Sequence, residues 1–180
     1  AADLPMSAKV RVDGASGESF NREVAEAIVS AGMDFMVVHG RHWQERYDVP
    51  VRCHDIAQMV RYADIPVIAN GDVSDAASLC TVMEKTQAAG VMISRASLGK
   101  PWLLAQIHSE CKGEEYIPPD AAERDRIWLC HIRGLIELDG ESRALLQARG
   151  LAKYYGHPEM AAMVFDTYES FSQYLGVDTI

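Results

Sequence analysis

Ile65-Pro66-Val67-Ile68-Ala69-Asn70-Gly71-Asp72 decides the reading of this chain, together with Gly90-Val91-Met92-Ile93-Ser94-Arg95 further on. Each is a short apolar run that stops abruptly at glycine or serine beside a polar side chain, and each is followed by helix-like sequence. Neither Val67-Ile68-Ala69 nor Val91-Met92-Ile93 alternates apolar with polar residues. That pattern suits strands buried on both faces, as parallel strands are. The end of the first run is chemically pointed: Asn70 brings an amide, Gly71 admits a close backbone, and Asp72 brings a carboxylate. Proteins built on parallel sheets place ligands at the C-terminal ends of their strands. In β/α barrels the loops after the last two strands commonly hold a phosphate. Ser94-Arg95 suits that task, with backbone N–H groups at the next helix start and one guanidinium.

Upstream, residues 6–12 read as a strand from which Lys9 and Arg11 project to the same side by period two. Gly14-Ala15-Ser16-Gly17 is a loop. Ser19 then suits a helix cap, before a stripe of Val24, Ala27, Ile28 and Ala31 that Gly32 ends. Phe35-Met36-Val37-Val38 is a second strand and runs into His39-Gly40-Arg41. The next loop, through Trp43, Tyr47 and Pro50, is long and aromatic, which marks it as functional. Residues 55–62 form a helix ahead of the strand at 66–69. Ser74 or Asp75 caps another, with Leu79, Val82, Met83 and Thr86 on one face, and the strand at 90–93 leads to a helix over 101–111 with Pro101 in its first turn. Four consecutive β-then-α units imply an α/β fold with a parallel sheet, equal to half of an eight-unit TIM (β/α)8 barrel.

Glu114-Glu115-Tyr116-Ile117-Pro118-Pro119-Asp120 reads as a linker, and only helical periodicity comes after it. Trp128, Ile132, Leu135 and Ile136 form one stripe; Leu145, Ala148, Ala152 and Tyr155 a second; Met160, Val164, Tyr168, Phe171 and Leu175 a third. Asp139-Gly140 and Gly156-His157-Pro158 separate three helices. The expected organisation is a half-barrel over 1–113 and a small all-α domain over 114–180.

Composition excludes several classes. At 48% hydrophobic and 24% charged residues, the chain is neither disordered nor a membrane protein, and no apolar run reaches the length of a spanning helix. The start carries no signal-peptide pattern. Cys53, Cys80, Cys111 and Cys130 are scattered, with no C-x-x-C pair, so reduced thiols and a cytoplasmic location are expected, with no metal site. We read them as small buried hydrophobes. The net charge of −9 runs against a dedicated nucleic-acid binder, although it leaves room for a local basic stripe.

The candidate residues each have a plainer reading. His39 suits a satisfied strand-end histidine as well as a site. Asn70-Gly71-Asp72 is also what a tight turn before a capped helix needs. Arg149 and Lys153, one helical turn apart with Arg143 nearby, suit a solvated face as readily as an RNA contact. Lys9 is harder to explain structurally, because lysine is seldom buried in a sheet without a partner.

Lys9-Val10-Arg11, Val38-His39-Gly40-Arg41, the run 66–72, the run 90–96 and Gly99-Lys100-Pro101-Trp102 occur in this order. They are followed by Gly140-Glu141, Gln147-Ala148-Arg149 and Lys153-Tyr154-Tyr155. Together these resemble the tRNA-dihydrouridine synthase family, a group of flavoprotein oxidoreductases of tRNA processing. The resemblance implies a barrel whose C-terminal half and helical tRNA-binding domain are present here, the N-terminal half of the barrel being a missing partner. It implies FMN as cofactor, NADPH as reductant and tRNA as substrate. By resemblance, Lys9 and His39 lie over the isoalloxazine and uracil, Asn70, Gly71 and Asp72 hold the ribityl and phosphate end, and Ser94 and Arg95 bind the phosphate. Arg11, Arg41, Arg149 and Lys153 become substrate contacts. The family's catalytic cysteine stands in an N-x-G-C-P setting that none of the four cysteines matches, so no catalytic residue is assigned and the chain alone is expected to be inactive. Ser94 stands where the family has glycine, a costly change if that turn needs a positive φ. Two rival readings are another flavin- or phosphate-binding barrel oxidoreductase on a small molecule, and a non-catalytic RNA-binding fragment.

Overall fold

The computed structural model describes residues 4–13 and 17–177. The loop expected over residues 14–16 lies outside them. The chain divides into two compact units, residues 1–96 and 97–180. The division falls before the linker expected at 114–120, so the helix that comes after the last strand groups with the helical unit.

In the first unit, β1 (Ser7–Arg11), α1 (Gly17–Ser30), β2 (Phe35–His39), α2 (Cys53–Tyr62), β3 (Val67–Asn70), α3 (Ala76–Thr86) and β4 (Gly90–Met92) alternate along the chain. The strands form one parallel sheet in the order β1-β2-β3-β4. The register gives each face its own composition. Ala8, Met36 and Val67 share one level, and Val10, Val38, Ala69 and Val91 the next. This face joins Ala25, Ile28, Ile56, Met59 and Val82 of the helices in one core. On the other face Lys9, Val37, Ile68 and Gly90 form a level, and Arg11, His39, Asn70 and Met92 form the last before the C-terminal rim. Strands that are apolar towards the helices and polar at one end of the opposite face are what a barrel wall with a ligand mouth requires.

Local chemistry sets the helix ends, with some departures from expectation. Asp75 caps α3: its carboxylate accepts from Ser78 N–H at 2.7 Å, while the Ser78 hydroxyl accepts from the Asp75 N–H at 3.1 Å. Helix α1 starts at Gly17, which puts Ser19 inside its first turn rather than at the cap. Its inward face is Asn21, Ala25 and Ile28, with Ala27 and Ala31 exposed. The inward face is rotated from the apolar stripe because the buried Asn21 is polar; its amide donates to the Gln58 side chain at 2.8 Å.

The second unit contains α4 (Leu103–Cys111), α5 (Ala121–Asp139), α6 (Glu141–Tyr155), a 3₁₀ turn (Pro158–Ala162) and α7 (Tyr168–Leu175). Helix α4 starts after Trp102, so Pro101 lies in the preceding turn and not at the first helical position. The core is aromatic. Trp128 is fully buried, stacked on Tyr155 at 5.2 Å between centroids and met edge-on by Phe171 at 4.9 Å. The third expected stripe is broken: Val164 is exposed, and α7 begins only after Thr167, whose side chain caps it by accepting from Ser170 N–H. A threonine cap holds its backbone extended, so one continuous helix cannot pass through it. The cysteines also depart from expectation. Cys80, Cys111 and Cys130 are exposed and Cys53 is half-buried, because the 3.6-residue stripes of their helices face elsewhere. Among the described residues no helix is long and apolar enough to cross a membrane, and no His/Cys/Asp/Glu cluster could hold a metal ion.

Candidate functional site

Beyond β3 the backbone takes two consecutive positive φ angles, +127° at Gly71 and +54° at Asp72. A left-handed aspartate is uncommon and marks a position the surroundings hold in place. What holds it is Arg41, just past the end of β2. One Arg41 nitrogen, Nη2, donates to both Asp72 carboxylate oxygens at 2.6 Å, and Val51 N–H donates to Asp72 Oδ2 at 3.1 Å. Arg41 is only 1% exposed, and it also donates to the Val49 and Tyr47 carbonyls. The arginine therefore faces inward, where it pins the loop after β2 against the turn after β3. That loop has a second clasp. Arg52 binds Glu45 through both carboxylate oxygens, and this pair, helped by the His42 N–H, lowers the Glu45 pKa to about 2.

Glycines permit the close approach of these segments. A Cβ on Gly40 would come within 2.5 Å of a Val51 methyl, and one on Gly71 within 2.7 Å of the same methyl and 3.2 Å of the His39 ring. Asn70 ties β3 to the segment after β4, donating to the Met92 carbonyl at 2.9 Å and the Ser94 hydroxyl at 3.0 Å. Arg95 opens a single 3₁₀ turn, Arg95–Ser97, in place of the helix expected there. Its guanidinium lies 3.9 Å from the Tyr47 ring centroid and 3.5 Å from Asp72 Oδ1. Ser94 costs no backbone strain: among the described residues only Asp72 and Gln87 are non-glycine with positive φ.

Between these elements lies a cleft of about 600 Å³ lined by Lys9, Arg11, His39, Asn70, Gly71, Asp72, Ser94 and Arg95, with Tyr47 at its side. The sequence points to seven of these eight as cofactor contacts and to Arg11 as a substrate contact; the structure brings all eight together. Arg11 also donates to the His42 carbonyl at 3.1 Å. His39 is 7% exposed, and its pKa falls to about 4. Burial is the main cause, followed by the positive charges of Arg11, Lys9 and Arg41, with Asp72 opposing. At neutral pH the site thus presents a neutral imidazole among cations, which can donate one N–H without adding charge.

Arg41, expected to contact substrate, differs from its neighbours in facing the interior. Arg149 and Lys153 belong to α6 in the helical unit. Arg149 Nε donates to the Ala161 carbonyl at 3.1 Å, and the Lys153 ammonium lies 4.8 Å from the centre of the Tyr154 ring. The sequence marks the aromatic loop as functional but does not single out Tyr47, Val51, Glu45 or Arg52 as site residues. No local pattern shows that an arginine after a strand will turn inward, and the spacing of Glu45 and Arg52 has no regular period.

A parallel sheet walled by helices on one face, with ligand-type side chains gathered at its C-terminal rim, is half of a β/α barrel; a separate all-α unit comes after it. The sequence matches the dihydrouridine synthase (Dus) family model over residues 1–173, and the chain belongs to that family. It is 36% identical over 156 residues to the probable tRNA-dihydrouridine synthase 1 of Synechocystis, covering 86% of this chain and 44% of that protein. It is 30% identical to a probable tRNA-dihydrouridine synthase of Rhodobacter capsulatus, over 91% of this chain and 51% of the relative. Identity to tRNA-dihydrouridine synthase B of Escherichia coli is also 30%, over 86% and 49%. The chain thus spans about half the length of the curated relatives it matches.

Proposed function

We propose that these 180 residues form the C-terminal barrel half and the RNA-contacting helical unit of an FMN-dependent tRNA-dihydrouridine synthase. In this reading tRNA uridines are reduced to 5,6-dihydrouridine in the cytoplasm, with NADPH as the electron source. The observation that carries it is the convergence of Lys9, Arg11, His39, Asn70, Ser94 and Arg95 on one rim cleft. The donor set fits a flavin mononucleotide: guanidinium and hydroxyl for the phosphate, an amide and a tight glycine turn for the ribityl chain, and ammonium and imidazole N–H for ring carbonyls. When bound, FMN supplies the hydride chemistry that no protein side chain has.

The residues of the chain do the rest. Ser94 and Arg95 hold the phosphate, with Arg95 kept in place by the Tyr47 ring and Asp72. Lys9 offers a positive charge where negative charge gathers on a carbonyl oxygen, and neutral His39 orients the reacting rings by hydrogen bonding. Arg11 contacts the substrate strand. Arg41 acts on substrate through Asp72 and the loop it pins, not by touch. The proton that completes the reduction comes from the family's cysteine, which no motif in this chain matches. The uridine must leave its stack to reach the cleft, and Arg149 and Lys153 supply phosphate contacts that position the tRNA without reading its sequence.

Two measurements test this. The chain alone should bind FMN weakly or not at all. Once joined to a first barrel half it should bind FMN more tightly than riboflavin, and Arg95→Ala should abolish the difference; equal affinity for the two in the joined protein rejects the phosphate assignment. A chimera that joins these residues to the first barrel half of the Synechocystis relative should form dihydrouridine in tRNA. A folded, FMN-loaded chimera that leaves tRNA uridines untouched rejects the activity.

A further inference from the structure

A second hollow, of about 630 Å³, lies beside the cleft and is lined by Arg11, Trp43, Gln44, Glu45, Arg46, Tyr47 and Asp48. Arg11 and Tyr47 line both hollows, so the two sites share a wall. Trp43 is 72% exposed and Tyr47 58%. Two open aromatic rings within five residues have an apolar cost that a loose loop would relieve by folding them in. This loop is not loose: Arg41 grips its carbonyls at Tyr47 and Val49, and Arg52 clasps its Glu45. The rings are therefore held outward. Arg52 pairs with Glu45, so the remaining charged side chains of the lining are Arg11, Arg46 and Asp48, a cationic balance on a chain of net charge −9.

We propose that this hollow is a stacking subsite for the nucleobase adjacent, along the RNA strand, to the one that enters the cleft, with Trp43 as its platform. The inference rests on the function proposed above. Aromatic faces beside arginines are how proteins hold unpaired bases, since every base has a π face and every linkage a phosphate. The Gln44 amide adds a group able to bond a base edge in either direction. The shared wall fits this arrangement, because neighbouring bases of one splayed strand must occupy neighbouring sites. Arg11, between them, lies where the linking phosphate would pass.

The test is a fluorescence titration of the chain with short oligouridylate, alongside the same strand made abasic and inorganic tripolyphosphate. Oligouridylate should quench the exposed indole, and Trp43→Ala should weaken its binding about tenfold, the scale of one stacked base. Trp43→Tyr should keep most of the affinity, and both variants should bind tripolyphosphate and the abasic strand as the parent does. Trp43 is exposed, so circular dichroism should show both variants folded. Oligouridylate binding that is equal in parent and Trp43→Ala, or an equal loss for the abasic strand, overturns the subsite. An FMN titration of the chimera with the first barrel half separates the two readings. FMN binding there with RNA binding that ignores Trp43 sinks the subsite alone, whereas a folded chimera that binds neither FMN nor RNA sinks the function with it.

Discussion

The two units treat aromatic and charged side chains in opposite ways. The helical unit buries rings at its centre, where Trp128 lies under Tyr155 and against Phe171, while Arg124, Arg126, Arg133 and Arg143 stay at the surface. The half-barrel buries an arginine, Arg41, and leaves Trp43 and Tyr47 in the open. The contrast teaches where each unit obtains its order. Ring packing is non-directional and scales with the area removed from water, so it suits a scaffold. A buried guanidinium with a two-oxygen partner contributes little net stability but fixes geometry, so it suits a rim that must present ligand groups at set positions.

Four changes sharpen or break that contrast. The largest effect should come from Trp128→Ala, which empties the centre of the aromatic core and should cost about 3–5 kcal/mol in urea unfolding. A cost below about 1 kcal/mol would show that the rings are not what holds the helical unit. Next is Asp72→Ala. It leaves Arg41 buried without its carboxylate and should destabilise the half-barrel by about 3 kcal/mol, whereas replacing the pair by Arg41→Met with Asp72→Leu should recover much of the loss. If the double change is no better than the single one, packing and not charge accounts for the effect. Gly71→Ala should cost about 2 kcal/mol, from the positive φ and the contact with Val51. A neutral outcome in thermal melts would mean the turn relaxes freely.

The remaining test concerns one proton. Folded His39 titrates at about 4, and an unfolded histidine at about 6.5. Between these values the unfolded chain binds more protons, so stability should rise with pH from about 4 to 6.5 and then level off as far as this residue is concerned. The His39 ring signal in NMR should titrate near pH 4. Arg11→Gln should move it upward, although burial, the larger cause, should keep it below the ordinary histidine value. An unchanged midpoint would remove Arg11 from the electrostatics of the cleft.

Much of this is legible in the chain itself. Unbroken apolar runs ending at Asn70 and Ser94 carry the parallel strands, because burial on both faces leaves no alternation to confuse with a surface strand. Strand ends then place Lys9, His39, Asn70 and Arg95 on one rim without further information. What the sequence hides depends on contacts distant along the chain. Arg41 is a substrate contact only by family resemblance, and nothing near it in the sequence shows that it turns inward; its burial depends on Asp72, thirty-one residues away. The last helix breaks at Thr167 because a cap outweighs the apolar repeat that crosses it. Asn21 disguises the inner face of α1, since a buried amide looks like a surface residue until Gln58 is found beside it.

Val51 has a consequence for how this rim can change over generations. One of its methyls fills the space that side chains on both Gly40 and Gly71 would need. The three positions are therefore epistatic. A first step to alanine at Gly40 meets the valine and is selected against, but the same step after Val51→Ala finds the methyl gone, and the next neighbours, Ile56 and the Arg52 backbone, stand at 3.0 and 3.2 Å. Gly71 gains less from that route, because its backbone angle remains one that L-residues avoid. Lineages that drift at this rim should thus lose the valine before the first glycine, and retain the second glycine longest.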